Sequence, residues 1–185
     1  ITNFIYMSNS LLGTLRDRPL LGDGAMGTQL QEAGLESGGC GEAWNLDEPD
    51  RVVAIQRRYV EAGSDCLITN TFGGSRLMLE RHTANPDVVG INKAAVEVAR
   101  RAFGDRDGFV LGDIGPFGGL MEPYGEITRA EVDRAFAEQA KALVEAGADA
   151  IIVETQTVLD EAGAAIAAAK AAGAQCVIAS MAFDF

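Results

Sequence analysis

The chain has 185 residues, of which 48% are hydrophobic, 23% are charged and 6% are aromatic. This composition is typical of a folded domain; it excludes a disordered segment, and no apolar run is long enough to span a bilayer. The 15 basic and 27 acidic residues give a net charge of -12, which argues against nucleic acids and anionic membranes as partners.

The N-terminal residues carry no secretory signal pattern, and the three cysteines are too few for a disulfide scaffold. We therefore expect a reduced, cytoplasmic protein. Residues 1–17 are predicted to form an N-terminal extension. Within it, residues 1–6 precede the first methionine and are either vector-derived or upstream sequence.

Five short apolar segments alternate with longer segments of helical pattern. Because the short segments are apolar throughout, they are typical of parallel strands that are covered on both faces. The predicted strands are Pro19–Gly22, Cys66–Thr69, Phe109–Gly112, Ala150–Val153 and Cys176–Ser180.

The helices between these strands have recognisable ends, since proline favours the first helical turn and glycine commonly follows the last one. Thr128 and Glu131 match a capping box, in which each side chain bonds a backbone N–H group near the other. The predicted boundary pairs are Pro49 and Gly63, Pro86 and Gly104, Thr128 and Gly147, and Thr157 and Gly173.

One helix-to-strand joint occurs three times. Residues 60–69 (VEAGSDCLIT) and 144–153 (VEAGADAIIV) agree almost position by position, and residues 171–179 (AAGAQCVIA) are a weaker copy. Each copy contains a helix end, a glycine, a short loop and a buried strand. The recurrence predicts successive β/α units of the same handedness, and therefore an α/β fold.

Two α/β architectures are compatible with this pattern. A doubly wound sheet of five strands fits the length, whereas a TIM (β/α)8 barrel needs eight strands and roughly 250 residues. The strand count alone favours the doubly wound sheet, but the polar residues that follow the strands favour the barrel.

Polar side chains follow four of the predicted strands, at the edge where parallel sheets carry function. Asp23, Asp113 and Glu154 would repel one another there unless a cation, an ammonium group or a hydrogen-bond donor lay among them. Asn70 and Thr71 lie at the same edge. An alternative role as a helix cap or as a partner of arginine remains open, above all for Asp113.

Gly22, Gly24 and Gly27 match the G-x-G-x-x-G fingerprint of dinucleotide-binding proteins. However, Asp23 would place a negative charge where a pyrophosphate binds, and the next strand follows too late for a unit of about 30 residues. A turn whose N–H groups bind a small carboxylate, with Asp23 beside it for an ammonium group, fits better. That pair of groups suits an amino acid.

No metal site is predicted within the chain, because a zinc ion needs three or four converging ligands. Cys66 and Cys176 occupy strand starts, away from the functional edge, and are expected to be small buried apolar side chains. Cys40 lies in a predicted loop, and His82, the single histidine, lies on a polar stretch that we expect to be solvated.

Four motifs, in order along the chain, resemble those of the homocysteine S-methyltransferase family. They are residues 21–28 (LGDGAMGT), 59–72 (YVEAGSDCLITNTF), 112–116 (GDIGP) and 151–155 (IIVET). The family includes the homocysteine-binding module of cobalamin-dependent methionine synthase and betaine–homocysteine methyltransferase. The resemblance implies a TIM (β/α)8 barrel, of which residues 18–185 would form about the first five β/α units.

The resemblance also implies homocysteine as the substrate and methionine as the product. In this family, a zinc ion held by three cysteines binds the thiol, and the resulting thiolate attacks the methyl group of a donor. Asp23 and Glu154 match the carboxylates that hold the amino group, and residues 24–26 match the backbone that receives the carboxylate. The implied substrate-binding residues are Asp23, Gly24, Ala25, Met26, Thr69, Asn70, Thr71 and Glu154.

The family's zinc cysteines come from later strands, and the segment Gly38–Cys40 only superficially echoes their motif. We therefore expect the zinc ligands downstream of this chain, with no catalytic residue and little activity in the fragment alone. Other elements would bind the methyl donor. Candidates for it are methylcobalamin, betaine and S-methylmethionine. A corrinoid-binding or folate-binding module is the partner that this implies.

Two other functions stay open. A magnesium-dependent lyase or aldolase on the same barrel would use Asp113 and Glu154 as metal ligands. A small-molecule-binding module completed by a partner chain would need no catalytic residues at all.

Overall fold

The computed structural model describes residues 10–183, which alternate helices with parallel strands. The expectation for residues 1–6 falls outside this range. The helices are α1 (Leu11–Asp17), α2 (Gly27–Glu32), α3 (Trp44–Asp47), α4 (Pro49–Ala62), α5 (Arg76–Leu79), α6 (Val88–Phe103), α7 (Arg129–Glu145) and α8 (Leu159–Ala171). The strands are β1 (Cys66–Ile68), β2 (Phe109–Ile114), β3 (Ala150–Gln156) and β4 (Val177–Met181).

The strands pair in the order in which they occur in the chain, β1-β2-β3-β4, and all neighbours are parallel. A doubly wound sheet reverses its strand order at a switch point, and no such reversal occurs among the strands described for residues 10–183. The doubly wound alternative is therefore excluded for this part of the chain. Consecutive pairing is instead the arrangement found in β/α barrels.

The first predicted strand, Pro19–Gly22, is wrong as a full strand and is reduced to one parallel bridge, between Gly22 and Cys66. Proline has no N–H group to donate, and the N–H group of Leu21 donates to Asp65 Oδ2 at 2.9 Å. This side chain takes the bond that a strand ladder would have used. The other four predicted strands are confirmed, and β2 and β3 run further toward their carboxyl ends.

Most predicted helix ends are confirmed. The backbone of Gly63, Gly147 and Gly173 has φ angles of 107°, 90° and 93°, a left-handed conformation that favours glycine and ends the helix in each repeat of the joint. Thr128 and Glu131 form both bonds of the capping box at the start of α7. The repeated sequence is thus a repeated structure.

Two predicted helix starts differ from the structure. Helix α6 begins after Asp87 rather than at Pro86, because the Asp87 side chain accepts from the N–H group of Gly90 at 2.9 Å and caps the helix. Thr157 does not cap α8, whose N-cap residue is Val158 without a side-chain bond. The acidic first turn of α8 supplies the negative charge that favours a helix N-terminus.

The side chains of the sheet alternate between two apolar clusters. One face packs against the surrounding helices and includes Leu67, Val110, Ile151 and Val153. The inner face forms a second cluster, whose buried members are Leu11, Cys66, Leu111 and Ala150. Successive side chains of a strand point to opposite faces of the sheet, so the two clusters lie on opposite faces.

Two of the cysteines, which are predicted to be small buried apolar side chains, lie in or against the inner cluster. Cys66 is buried in it and Cys176 packs against it, both at the amino ends of their strands. Burial raises the pKa of Cys66 to about 11, so its side chain remains a neutral thiol. Among the helices described, none is long and apolar enough to cross a membrane.

Candidate functional site

A cavity of about 540 Å³ opens at the carboxyl ends of strands β1 to β3. Of the predicted substrate-binding residues, all except Thr71 line its wall. Because β/α proteins bind ligands at this edge of their sheets, the cavity is the candidate site. Its lining residues are Asp23, Gly24, Ala25, Met26, Gly27, Thr28, Ile68, Thr69, Asn70, Phe72, Asp113 and Glu154.

Asp23 lies where the chain leaves the bridge to β1. Its N–H group donates to the carbonyl oxygen of Cys66 at 3.1 Å, and its Oδ2 accepts from the N–H group of Ile68 at 3.0 Å. Its Oδ1 is buried and has no partner. Burial raises the pKa of Asp23 to about 7; backbone hydrogen bonds oppose this rise and Glu154 adds to it. A neighbouring ammonium group would favour the ionised form.

The loop after Asp23 is held from its outer side by helix α4. The hydroxyl group of Tyr59 donates to the carbonyl oxygen of Ala25 at 2.7 Å. A Cβ atom at Gly24 would lie 3.0 Å from the Tyr59 ring, so a larger residue there would require the ring to shift by a few tenths of an ångström. Within the part of the chain that the structure describes, the N–H groups of Gly24, Ala25 and Met26 make no hydrogen bond. They are free to bind an anion.

Thr69 and Thr71 fix the backbone at the end of β2. The N–H group of Asp113 donates to Thr69 Oγ1 at 2.9 Å, and Thr71 Oγ1 donates to the carbonyl oxygen of Asp113 at 2.8 Å. The two hydroxyl oxygens are 2.7 Å apart, so the Thr69 hydroxyl group donates to that of Thr71. Gln139 of α7 donates to both Thr71 and Asp113 carbonyl oxygens. Thr71 is thus a buried support behind the pocket wall.

Asn70 connects the pocket wall to the loop that precedes α3. Its Nδ2 donates to the carbonyl oxygen of Gly41 at 2.8 Å, and Asn45 Nδ2 donates to the carbonyl oxygen of Asn70 at 2.8 Å. Both amide side chains are buried. These bonds fix the shape of the wall beside Thr69.

Asp113 projects from β2 into the cavity, and its residue is only 3% exposed. Its Oδ1 has no partner, and its carboxyl group is within hydrogen-bonding reach of Glu154. Burial, and next the charge of Glu154, raise the pKa of Asp113 well above its ordinary value. The three acidic side chains predicted at this edge are therefore brought together.

Strand β3 carries an irregularity at Glu154. The pairing with β4 shifts register between Val153 and Gln156, and Thr155 has a φ angle of 56°, which a β-branched residue rarely adopts. The N–H group of Thr155 donates to Ser180 Oγ at 3.3 Å. Bulges of this kind redirect side chains beside functional sites, and here the Glu154 side chain lines the cavity.

A sequence profile of the homocysteine S-methyltransferase family matches residues 20–184. The chain belongs to the homocysteine S-methyltransferase family. The methionine synthases of Mycobacterium leprae (strain TN) and Mycobacterium tuberculosis (strain ATCC 25618 / H37Rv) are each 39% identical over 158 residues. These alignments cover 78% of the chain but only 13% of either relative, so the chain spans a small part of the curated relatives it matches.

Solved structures of the homocysteine methyltransferase MmuM from Escherichia coli share the fold. The metallated form aligns with a TM-score of 0.77 at 22% identity, over 94% of this chain and 67% of that chain. The oxidized form aligns with a TM-score of 0.74 at 23% identity, over 90% and 64% of the two chains. The α/β fold with a parallel sheet is thereby confirmed as that of homocysteine methyltransferases.

Some residues that line this pocket are not among the predicted substrate-binding residues. Asp113 is predicted at this edge, with a metal-binding role only in the lyase or aldolase alternative, and not as a homocysteine-binding residue. Ile68 and Phe72 also line the cavity, although both lie inside the second family motif. Tyr59 begins the same motif, but nothing in the sequence shows that its ring supports the loop around Gly24.

The family implies a zinc ion, but the described residues do not fit one. Within residues 10–183, no three His, Cys, Asp or Glu side chains are grouped so that they could hold a metal ion. Cys40 Sγ donates to Glu42 Oε2 over 3.7 Å, and burial raises the pKa of this thiol, whereas zinc binds thiolates. His82 is exposed.

Proposed function

We propose that this chain provides the homocysteine-binding part of an S-methyltransferase that converts homocysteine to methionine. The observation that carries the proposal is the pairing, in one cavity, of free backbone N–H groups with buried carboxyl oxygens that lack partners. An α-amino acid presents the complementary pair, a carboxylate and an ammonium group. Family membership supplies the thiol as the third group.

In the proposed complex, the N–H groups of Gly24, Ala25 and Met26 bind the substrate carboxylate. Asp23 Oδ1 and the Glu154 carboxylate accept from the ammonium group, which faces the inner side of the sheet. Charge-assisted bonds of this kind are stronger than neutral ones. The substrate side chain is then directed away from the loop, with its thiol toward the open side of the cavity.

We also propose the following for the whole protein. The described units form the first part of a (β/α)8 barrel, and thiol activation by zinc uses ligands outside the described residues. The methyl group comes from a donor such as methylcobalamin, presented by another module in the cytoplasm. The mycobacterial methionine synthases support the methylation of homocysteine, and the fold shared with MmuM supports the barrel architecture.

The test of this function is the change Glu154→Gln in the complete protein. Removing one charge from the ammonium site should weaken homocysteine binding by about 10- to 100-fold, the cost of about 1.5–3 kcal/mol for a hydrogen bond to a charged group. Zinc content should not change. Isothermal titration calorimetry measures the affinity and elemental analysis the metal.

Glu61→Gln is the matched control for this change. Glu61 is an exposed residue at the end of α4, so its variant should bind homocysteine as the wild type does. If Glu154→Gln and Glu61→Gln bound homocysteine equally well, Glu154 would have no place in the site.

A further inference from the structure

The cavity contains a third carboxyl group, that of Asp113, for which the family resemblance supplies no role. Asp113 pairs in register with Ile152 of β3. It lies two residues beyond Leu111, so its side chain is on the same inner face of β2. The residue is 3% exposed, and its Oδ1 has no partner although it lies in a pocket wall. A buried polar atom without a partner points to a ligand that supplies one.

The groups that face Asp113 are acidic or neutral. Glu154 on β3 is close enough to hydrogen-bond to it, and Glu42, before α3, and Asp23 add negative charge. Helix α7 contributes the neutral Gln139 and the segment after β1 the neutral Thr69, while no ion pair in residues 10–183 involves Asp113. Burial and these negative charges favour the neutral, protonated form of the Asp113 carboxyl group.

Burial is the main reason why Asp113 keeps a proton. The residue is 3% exposed, so water cannot stabilise its charged form, and the pKa of its carboxyl group lies well above the ordinary value. A carboxylic acid has one oxygen that carries the hydrogen and one that can accept a bond. At Asp113 the first can donate to Glu154, and the buried Oδ1, which has no partner, is left to accept from a ligand.

We propose that Asp113 is a substrate-binding residue that acts as a neutral carboxylic acid: its O–H group donates to Glu154, and its free Oδ1 accepts from the substrate ammonium group. This inference rests on the proposed function and adds a contact to it. Asp23 and Glu154 then carry the negative charge that the ammonium group neutralises. Asp113 contributes a neutral acceptor and holds the Glu154 carboxylate in place.

Because the proposed form of Asp113 is neutral, an amide can replace it and an alkyl group cannot. Asparagine offers the same acceptor oxygen and an N–H donor for Glu154, whereas valine offers neither. The two ligands to compare are L-homocysteine and 4-mercaptobutanoate, which have the same thiol and carboxylate but differ in the ammonium group. Calorimetric titration of the whole purified protein at neutral pH gives all the affinities.

We expect Asp113→Val to weaken homocysteine binding by about 10-fold or more and to leave the affinity for 4-mercaptobutanoate nearly as it was. Asp113→Asn should restore the affinity for homocysteine to within about threefold of the wild type. The matched control, Asp107→Asn, changes an exposed carboxyl group that is not among the residues lining the cavity and should bind like the wild type.

Four outcomes would overturn the inference. Equal losses for Asp113→Asn and Asp113→Val would show that the charge of an ionised Asp113 is required. Equal losses for the two ligands in Asp113→Val would assign the residue a purely structural role, and no loss would remove it from the site. A wild type that did not prefer homocysteine to 4-mercaptobutanoate would refute the proposed function itself, and this inference with it.

A second measurement covers the case in which Asp113→Val does not fold. Infrared difference spectra of the wild type against Asp113→Asn, recorded at mildly alkaline pH, should show the C=O absorption of one protonated carboxyl group in the wild type. Its absence from the wild type would overturn the inference, because Asp113 would then be ionised.

Discussion

Buried carboxyl groups make the free energy of unfolding depend on pH. The pKa of Asp113 lies well above the ordinary value, through burial first and the charge of Glu154 next. The unfolded chain ionises this carboxyl group above about pH 4, whereas the native state keeps the proton. The unfolded state thus binds fewer protons in this range, so stability falls as the pH rises above about 4 toward the raised pKa.

We expect Asp113→Asn to remove this part of the pH dependence, because the amide has the same shape and no proton to lose. The stability of the variant relative to the wild type should rise between about pH 5 and about pH 8, by about 1–3 kcal/mol. Urea unfolding at both pH values measures this. Asp107→Asn should show no such trend. The prediction would be contradicted if the free energy of unfolding of the wild type rose relative to that of Asp113→Asn with rising pH.

At the scale of secondary-structure elements, the end of β3 combines a functional side chain with a strained backbone. Among the residues described, Thr155 is the one non-glycine residue with a positive φ, and it follows Glu154 directly. A β-branched residue in this conformation costs about 1–3 kcal/mol. The bond from its N–H group to Ser180, together with the register shift, holds the conformation.

Thr155→Gly should therefore stabilise the protein slightly. Relief of the strain exceeds the extra entropy that glycine gives to the unfolded chain, and a net gain of about 0.5–1 kcal/mol is expected. Thr157→Gly is the matched control, since Thr157 is also exposed but has no positive φ, and it should destabilise. Thermal unfolding of both variants measures the difference. If the two variants shifted the melting temperature alike, strain at Thr155 would be refuted.

At the scale of the whole molecule, helix α1 closes the inner face of the sheet. Leu11 is 4% exposed and packs in the same cluster as Cys66 and Leu111. Arg18, just after the helix, forms an ion pair with Asp65 at 2.7 Å. The division between an N-terminal extension (residues 1–17) and the barrel stays a prediction. Leu11 of α1 lies before that boundary and packs into the core.

Leu11→Ala should lower the free energy of unfolding by about 2–4 kcal/mol, because it opens a cavity in the inner cluster. The adjacent Leu12 is 48% exposed, so Leu12→Ala should cost less than about 1 kcal/mol. Denaturant unfolding of the two variants compares them directly. Equal losses would mean that α1 does not pack on the sheet as described.

The pocket shows how far sequence reasoning reaches. Asp23 and Glu154 could be predicted because each directly follows an apolar segment, and strand ends of a parallel sheet meet at one edge. The sequence could not predict which oxygen of Asp23 stays without a partner, because that depends on the bond from the Ile68 N–H group. Nor could it predict how the Glu154 side chain is directed, because that depends on the bulge at Thr155. Neither feature has a local sequence signal.

The sequence by itself determined the order of β/α units, the glycine that ends each joint, the family and the acidic edge. The β/α order and the glycines depend on residues that are neighbours in the chain, so spacing is enough to predict them. The family follows from the resemblance of four motifs, and the acidic edge follows because the carboxyl ends of parallel strands meet. Only the tertiary structure decided that Pro19–Gly22 forms a single bridge, that α1 belongs to the core, and that Asp113 is buried against Glu154. The physical reason is that desolvation and pairing are set by groups distant in sequence, which come together only when the sheet forms.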